Sequence, residues 1–144
     1  MNDKLWKAGT LAAIGVLMLL SATSAYAQTT TRFNVPFEFL AGELRMPAGQ
    51  YLVKMDFATR VVSLRHESGR SALCLRVILS KRSLRAFQEG ILEFRAYESA
   101  NVLARVWTRG FPDAGELPES SIERELARTE RAGKTIQVAF APAK

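Results

Sequence analysis

A single cysteine and a single histidine among 144 residues exclude more chemistry than any motif in the chain proposes. Cys74 has no partner for an intramolecular disulfide, and its setting in Ala-Leu-Cys-Leu-Arg-Val-Ile-Leu reads as a small buried hydrophobe with an inert thiol. One imidazole and one thiol supply no cluster at metal-ligand spacing, which argues against a zinc site and against any bound cofactor of that kind. Nucleophilic catalysis would have to recruit His66 as its base. That residue shares strand parity with Val62 and Leu64, which turns it toward the core side of a strand end. Glycines are scattered rather than clustered at the mouth of a helix, so no phosphate-cradling loop is present. Acid-base chemistry keeps one route, a carboxylate pair drawn from Glu38, Asp56, Glu93 and Glu98, which one dimension cannot select.

Long apolar runs are equally scarce, and the one that exists lies at the start. Lys4 and Lys7 precede the apolar stretch Thr10 to Leu20, and Ser21 to Ala27 ends in Ala25-Tyr26-Ala27. This is the three-part pattern of a cleaved secretory signal, with an apolar core well short of the roughly 20 residues that span a bilayer. Cleavage is expected after Ala27, giving residues 28–144 as a single secreted or periplasmic domain. No cysteine at the cleavage site offers a lipid anchor. Losing Lys4, Lys7 and Asp3 lowers the net charge only from +6 to +5.

Past the signal the dominant period is two. Phe33, Val35, Phe37 and Phe39 alternate with polar or turn residues, and Pro36, lacking an amide proton, marks an edge strand. Tyr51, Val53, Met55 and Phe57 alternate again. Between these runs, Pro47-Ala48-Gly49 places proline and glycine where a tight turn favours them, and a strand follows where a ligand loop would open a helix. Val61 to His66 and Ser71 to Leu79 flank a hairpin turn at Glu67 to Arg70. The second of these strands is apolar on both parities and is expected to lie centrally. Ile91 to Glu98 and Val102 to Trp107 form another pair, and Thr108 to Pro118 reads as a long loop.

Ser120 opens a capping box with Glu123, starting a short helix that ends near Gly133 and packs through Ile122 and Leu126 while exposing Arg124, Arg128 and Arg131. Ile136, Val138 and Phe140 make a last strand. The fold expected is all-β, an antiparallel sandwich or partly open barrel of about seven strands with one short C-terminal helix.

Positive charge concentrates at Ser80-Lys81-Arg82-Ser83-Leu84-Arg85, between two strands. Lys81, Arg82 and Arg85 are therefore the candidate anion-binding residues, suited to an anionic envelope polymer or a membrane surface. Nucleic acid is not expected, since export removes it and no aromatic-basic module appears. Trp107, between Arg105 and Arg109, is a candidate stacking platform for a sugar ring, though a strand-end tryptophan more often covers a core.

The runs Phe33-Asn-Val-Pro-Phe-Glu-Phe39, Pro47-Ala-Gly-Gln-Tyr51, Val61-Val-Ser-Leu-Arg65 and Arg124-Glu-Leu-Ala127 resemble a group of small secreted all-β proteins of unknown function from environmental Gram-negative bacteria. The resemblance implies secretion and a β domain, and transfers no site residue. The function expected is a non-catalytic exported protein of the cell envelope, acting by binding or structural association. A carrier of a small apolar ligand, lined by the Phe-rich strand, and a carboxylate-based hydrolase are the alternatives.

Overall fold

The computed structural model describes residues 29–82, 89–131 and 133–141, with the backbone alone at 29 and 80–82. The expected signal, residues 1–27, and Arg85 lie outside the described residues. Among the described residues, eleven strands and one helix follow in the order β1 (Thr29–Val35), β2 (Phe39–Ala41), β3 (Leu44–Met46), β4 (Gly49–Asp56), β5 (Val61–His66), β6 (Ala72–Arg76), β7 (Ile78–Arg82), β8 (Ile91–Ala96), β9 (Asn101–Trp107), β10 (Asp113–Glu116), α1 (Ser121–Thr129) and β11 (Thr135–Ala139). The all-β class with a C-terminal helix is as expected. The strand count is higher because two expected strands are each cut where the chain passes from one sheet to the other, and because β3 and β10 add two that were not expected.

The first sheet has the order β1-β4-β5-β6, and the second runs β11-β8-β9-β10-β7, with β2 and β3 attached beside β9. All pairs are antiparallel except β2 with β9. At Pro36 the chain leaves β1, an edge strand of the first sheet, and enters β2 of the second. Because the parity is kept, Phe33, Val35 and Phe39 are all buried between the sheets. Edge-to-face contacts with centroids 5.1 to 5.3 Å apart join Phe37 to Phe94 and Phe39 to both Tyr51 and Phe94. The rings of the Phe-rich strand are thus engaged in the core, where such pairing adds to area burial.

The Pro47-Ala48-Gly49 turn links β3 of the second sheet to β4 of the first. Tyr51 donates its hydroxyl to the Pro47 carbonyl at 2.5 Å, and burial pushes its pKa up to about 12. Gly49 has φ of 147° and lies where a Cβ would collide with the His66 ring, so the corner requires glycine on both counts.

The expected central strand over residues 71–79 is instead two edge strands. Val77 is the corner, β6 closes the first sheet and β7 the second, and the alternating exposure of β6 shows one face open to solvent. Cys74 is therefore exposed, not buried, with its sulfur 3.4 Å from the Ser63 hydroxyl. A further correction concerns Thr108 to Pro118, which contains β10, wedged between β9 and β7.

The two flanks of the molecule differ. On one, β1 and β11 meet through the Phe33 and Phe140 bridge, and the Ala141 amide donates to the Arg32 carbonyl at 3.0 Å. On the other, β6 and β7 end their sheets.

Helix α1 starts as the capping residues require, with the Ser120 hydroxyl accepting from the Glu123 amide at 3.1 Å. Its packing differs from expectation. Ile122 is 37% exposed, and the buried side chain is Glu123, 3% exposed. The Glu123 carboxylate does not fold back to complete the capping box. It accepts from Arg95 at 2.5 Å and from the Tyr97 hydroxyl at 3.2 Å. Glu43 takes over at the N-terminus, accepting from the Ser121 amide at 2.7 Å. At the C-terminus Glu130 accepts from the Ser99 amide and hydroxyl at 3.0 and 2.6 Å. The helix therefore docks mainly by polar contacts, with Leu126 adding to a small cluster of Leu40, Tyr97 and Val102.

Candidate functional site

Strand alternation sorts the first sheet into two faces. Tyr51, Val53, Met55, Val62 and Leu64 point inward and are buried. The intervening residues face solvent, and the register sets them in rows: Arg32, Leu52, Arg65 and Ala72 in one, Thr30, Lys54, Ser63 and Cys74 in the next, and Asp56, Val61 and Arg76 in a third. Four cations thereby share one face. Arg32 reaches Glu67 at 4.0 Å, and no salt bridge among the described residues engages Lys54, Arg65 or Arg76. The one acid within these rows, Asp56, is turned onto its own backbone. It accepts from the Ala58 and Thr59 amides at 2.9 and 3.1 Å, and these bonds, the Thr59 amide first, hold its carboxyl below the usual value. Lys54 also attracts the Asp56 carboxylate, so the face sets four cations against Asp56 and Glu67 and keeps a net positive charge, which attracts anions at a range set by the ionic strength.

The outer face of the second sheet has the opposite organisation. Arg105 donates to Glu93 at 2.9 Å and to Glu116 at 3.4 Å, and the Trp107 indole donates to the other Glu93 oxygen at 2.8 Å. Arg95 reaches Glu116 and Glu119 at 3.7 and 3.6 Å besides its bond to Glu123. Burial works to lower the Arg95 pKa, but the Glu123 charge and hydrogen bond outweigh it and raise the value. Burial and then the same carboxylate also raise the Tyr97 phenol. Every charge in this group meets an opposite one. Trp107 is 4% exposed, so its ring offers no stacking platform to solvent.

The sequence-derived cations are placed only in part. Lys81 and Arg82 belong to the end of strand β7, paired with β10, rather than to a loop between strands. Arg85 is not among the described residues, so the structure neither gathers nor separates the three. The cations of the first sheet were missed because they stand far apart in the chain. A sequence signal existed, since each takes the polar parity of its strand, but only the register makes them neighbours.

Of the four carboxylates, Glu38 and Glu98 line one open hollow of about 210 Å³, with Arg45, Tyr97 and Asn101. Glu38 accepts from Arg45 at 2.6 Å and both carboxylates are exposed, whereas a general acid is favoured by removal from water. Asp56 and Glu93 lie elsewhere, in the roles just given. His66 does turn inward, its ring edge-on to Tyr51 at 5.0 Å. Its Nδ1 lies 2.7 Å from the Ser68 hydroxyl and 3.1 Å from the Ser68 amide, and its Nε2 is enclosed without a hydrogen-bond partner among the described residues. No cluster of metal-ligating side chains occurs among the described residues.

Compared with known proteins, the chain matches no family model, no curated protein and no solved structure.

Proposed function

We propose that this is a non-catalytic exported protein of the cell envelope that associates through charge with an anionic surface, and that the solvent face of the first sheet is the contact. The observation that carries this reading is the grouping of Arg32, Lys54, Arg65 and Arg76 on one face, the last three without ion pairs among the described residues. A structural role for these cations would have matched them with carboxylates, as on the second sheet. The signal-like N-terminus and the resemblance to small secreted proteins support export. Lys81 and Arg82, at the end of the edge strand β7, and Arg85, three residues further along the sequence, extend the same reading.

The experiment is fractionation of cells expressing the full chain, with soluble periplasmic and membrane fractions compared before and after a high-salt wash. Attachment that salt releases is the expected result, because exposed charges are screened over roughly 3 Å at 1 M ionic strength. A protein freely soluble at low salt contradicts the proposal.

A further inference from the structure

At one end of the first sheet the charged face runs into apolar surface. The β4–β5 turn, the corner Arg76-Val77-Ile78 and Pro118 border an open groove of about 550 Å³, with Arg60 and Arg76 both among its walls. Arg60 adopts a left-handed backbone with φ of 55°, a conformation that glycine or asparagine ordinarily fills. Its carbonyl accepts from the Val77 amide at 2.9 Å, which ties the turn to the corner and sets two guanidinium-bearing residues beside one groove. Between the sheets Val77 is 2% exposed, yet Ile78, next in sequence, is 59% exposed and is the most exposed large apolar side chain among the described residues. On the far side of the same turn, Phe57 stacks on Phe111 with centroids 4.0 Å apart, and Phe111 is 39% exposed.

A dissolved polyanion would use the cations and leave Ile78 in water. An anionic lipid in a bilayer would use both, because its phosphate or carboxylate sits at the depth of the cations and its acyl chains begin immediately below. We infer that this end of the molecule docks on a bilayer containing anionic lipid, with Arg60 and Arg76 on a headgroup phosphate and Ile78 entering the acyl region. The inference rests on the envelope-association reading and narrows its partner from any anionic surface to a lipid one. Arg76 belongs to both the groove and the basic face, so one orientation of the protein brings both to the membrane.

The test uses the purified secreted chain with three probes: phosphatidylcholine vesicles, vesicles of phosphatidylcholine with phosphatidylglycerol, and a sulfated polysaccharide matrix. Wild type is expected to sediment with the anionic vesicles and to be retained by the matrix. Ile78→Ser, which alters only an exposed side chain, should bind anionic vesicles about tenfold more weakly and the matrix as before, the loss matching withdrawal of one apolar side chain from the acyl region. The double variant Arg60→Gln/Arg76→Gln should weaken on both. Unfolding temperatures of the variants are measured alongside, and only variants that melt like wild type are compared. Equal vesicle binding by wild type and Ile78→Ser overturns the lipid inference while leaving charge association intact. Retention of wild type by the matrix but not by anionic vesicles does the same. Failure of wild type on both anionic probes overturns the underlying reading as well.

Discussion

On the second sheet Arg95 reaches three carboxylates and Arg105 reaches two, whereas on the first sheet Lys54, Arg65 and Arg76 reach none among the described residues. Both faces are built by strand alternation, but the second meets its arginines with Glu93, Glu116, Glu119 and Glu123 while the rows of the first hold one acid, Asp56. Burial adds a second cause. Glu93 and Glu123 are 6% and 3% exposed, and an ionised group so far from water is kept there only by partners that satisfy it. On the open face of the first sheet nothing enforces pairing, and a cation left alone costs the fold little. Charge that is paired by necessity holds α1 and its lead-in segment onto the second sheet. Unpaired charge is available to a partner.

The largest effect that separates the two faces should come from Glu93→Ala. It takes from the half-buried Arg105 the nearer of its two carboxylates and removes the hydrogen bond between the Trp107 indole and Glu93, a loss of about 2 to 3 kcal/mol that urea unfolding would register. A loss under about 0.5 kcal/mol would mean that the network is ornamental and that the faces do not differ in kind.

Glu123→Gln comes next. The amide can still accept from Tyr97 but no longer neutralises Arg95, so about 1 to 2 kcal/mol should be lost, together with protection of the α1 amides from hydrogen exchange. Unchanged exchange in α1 would show that Leu126 and the end contacts suffice to dock it.

A smaller effect is expected with pH. Hydrogen bonds from Ser121 lower the Glu43 carboxyl from its ordinary 4.5, and those from Ser99 lower Glu130 likewise. Each folded value lies below the unfolded one, so the stability they contribute is present above the ordinary carboxylate range and is lost as pH falls through it toward the folded values. Thermal unfolding between pH 7 and pH 3.5 should therefore destabilise wild type more than the variant Glu43→Gln/Glu130→Gln. Identical pH dependence would assign acid sensitivity to other carboxylates.

The alternation of period two was legible in nearly every strand, because burial of one face writes it directly into the sequence. Sheet membership was not. At Pro36 and again at Val77 the chain changes sheets without losing parity, so each break is invisible to a pattern that records only inward and outward. Strand β10, Asp-Ala-Gly-Glu, lacks the branched and aromatic residues that advertise a strand. Small residues are needed there, since a Cβ on Gly115 would approach the Met55 and Val77 side chains at 3.1 to 3.2 Å.

In α1 the capping signal was legible at Ser120, but Glu123 was read as the cap's second half. Its carboxylate was instead claimed by Arg95, which lies 28 residues away in sequence and whose nearness only the fold reveals. Cys74 was read as buried from apolar neighbours that face inward at the two positions beside it, while the edge position of β6 leaves its own side chain outside. The basic face was illegible for a related reason. A run such as Lys81-Arg82 catches the eye in one dimension, while Arg32, Lys54, Arg65 and Arg76 become a group only through three strand registers.

The measurement that bears most directly on the basic face is elution from an anionic matrix in a rising salt gradient. It would compare wild type with Lys54→Gln/Arg65→Gln/Arg76→Gln and with Lys81→Gln/Arg82→Gln/Arg85→Gln, each checked for an unchanged unfolding temperature. The account predicts that the first triple variant leaves the matrix at clearly lower salt than wild type, and by a larger margin than the second. Elution of the first variant together with wild type would contradict it.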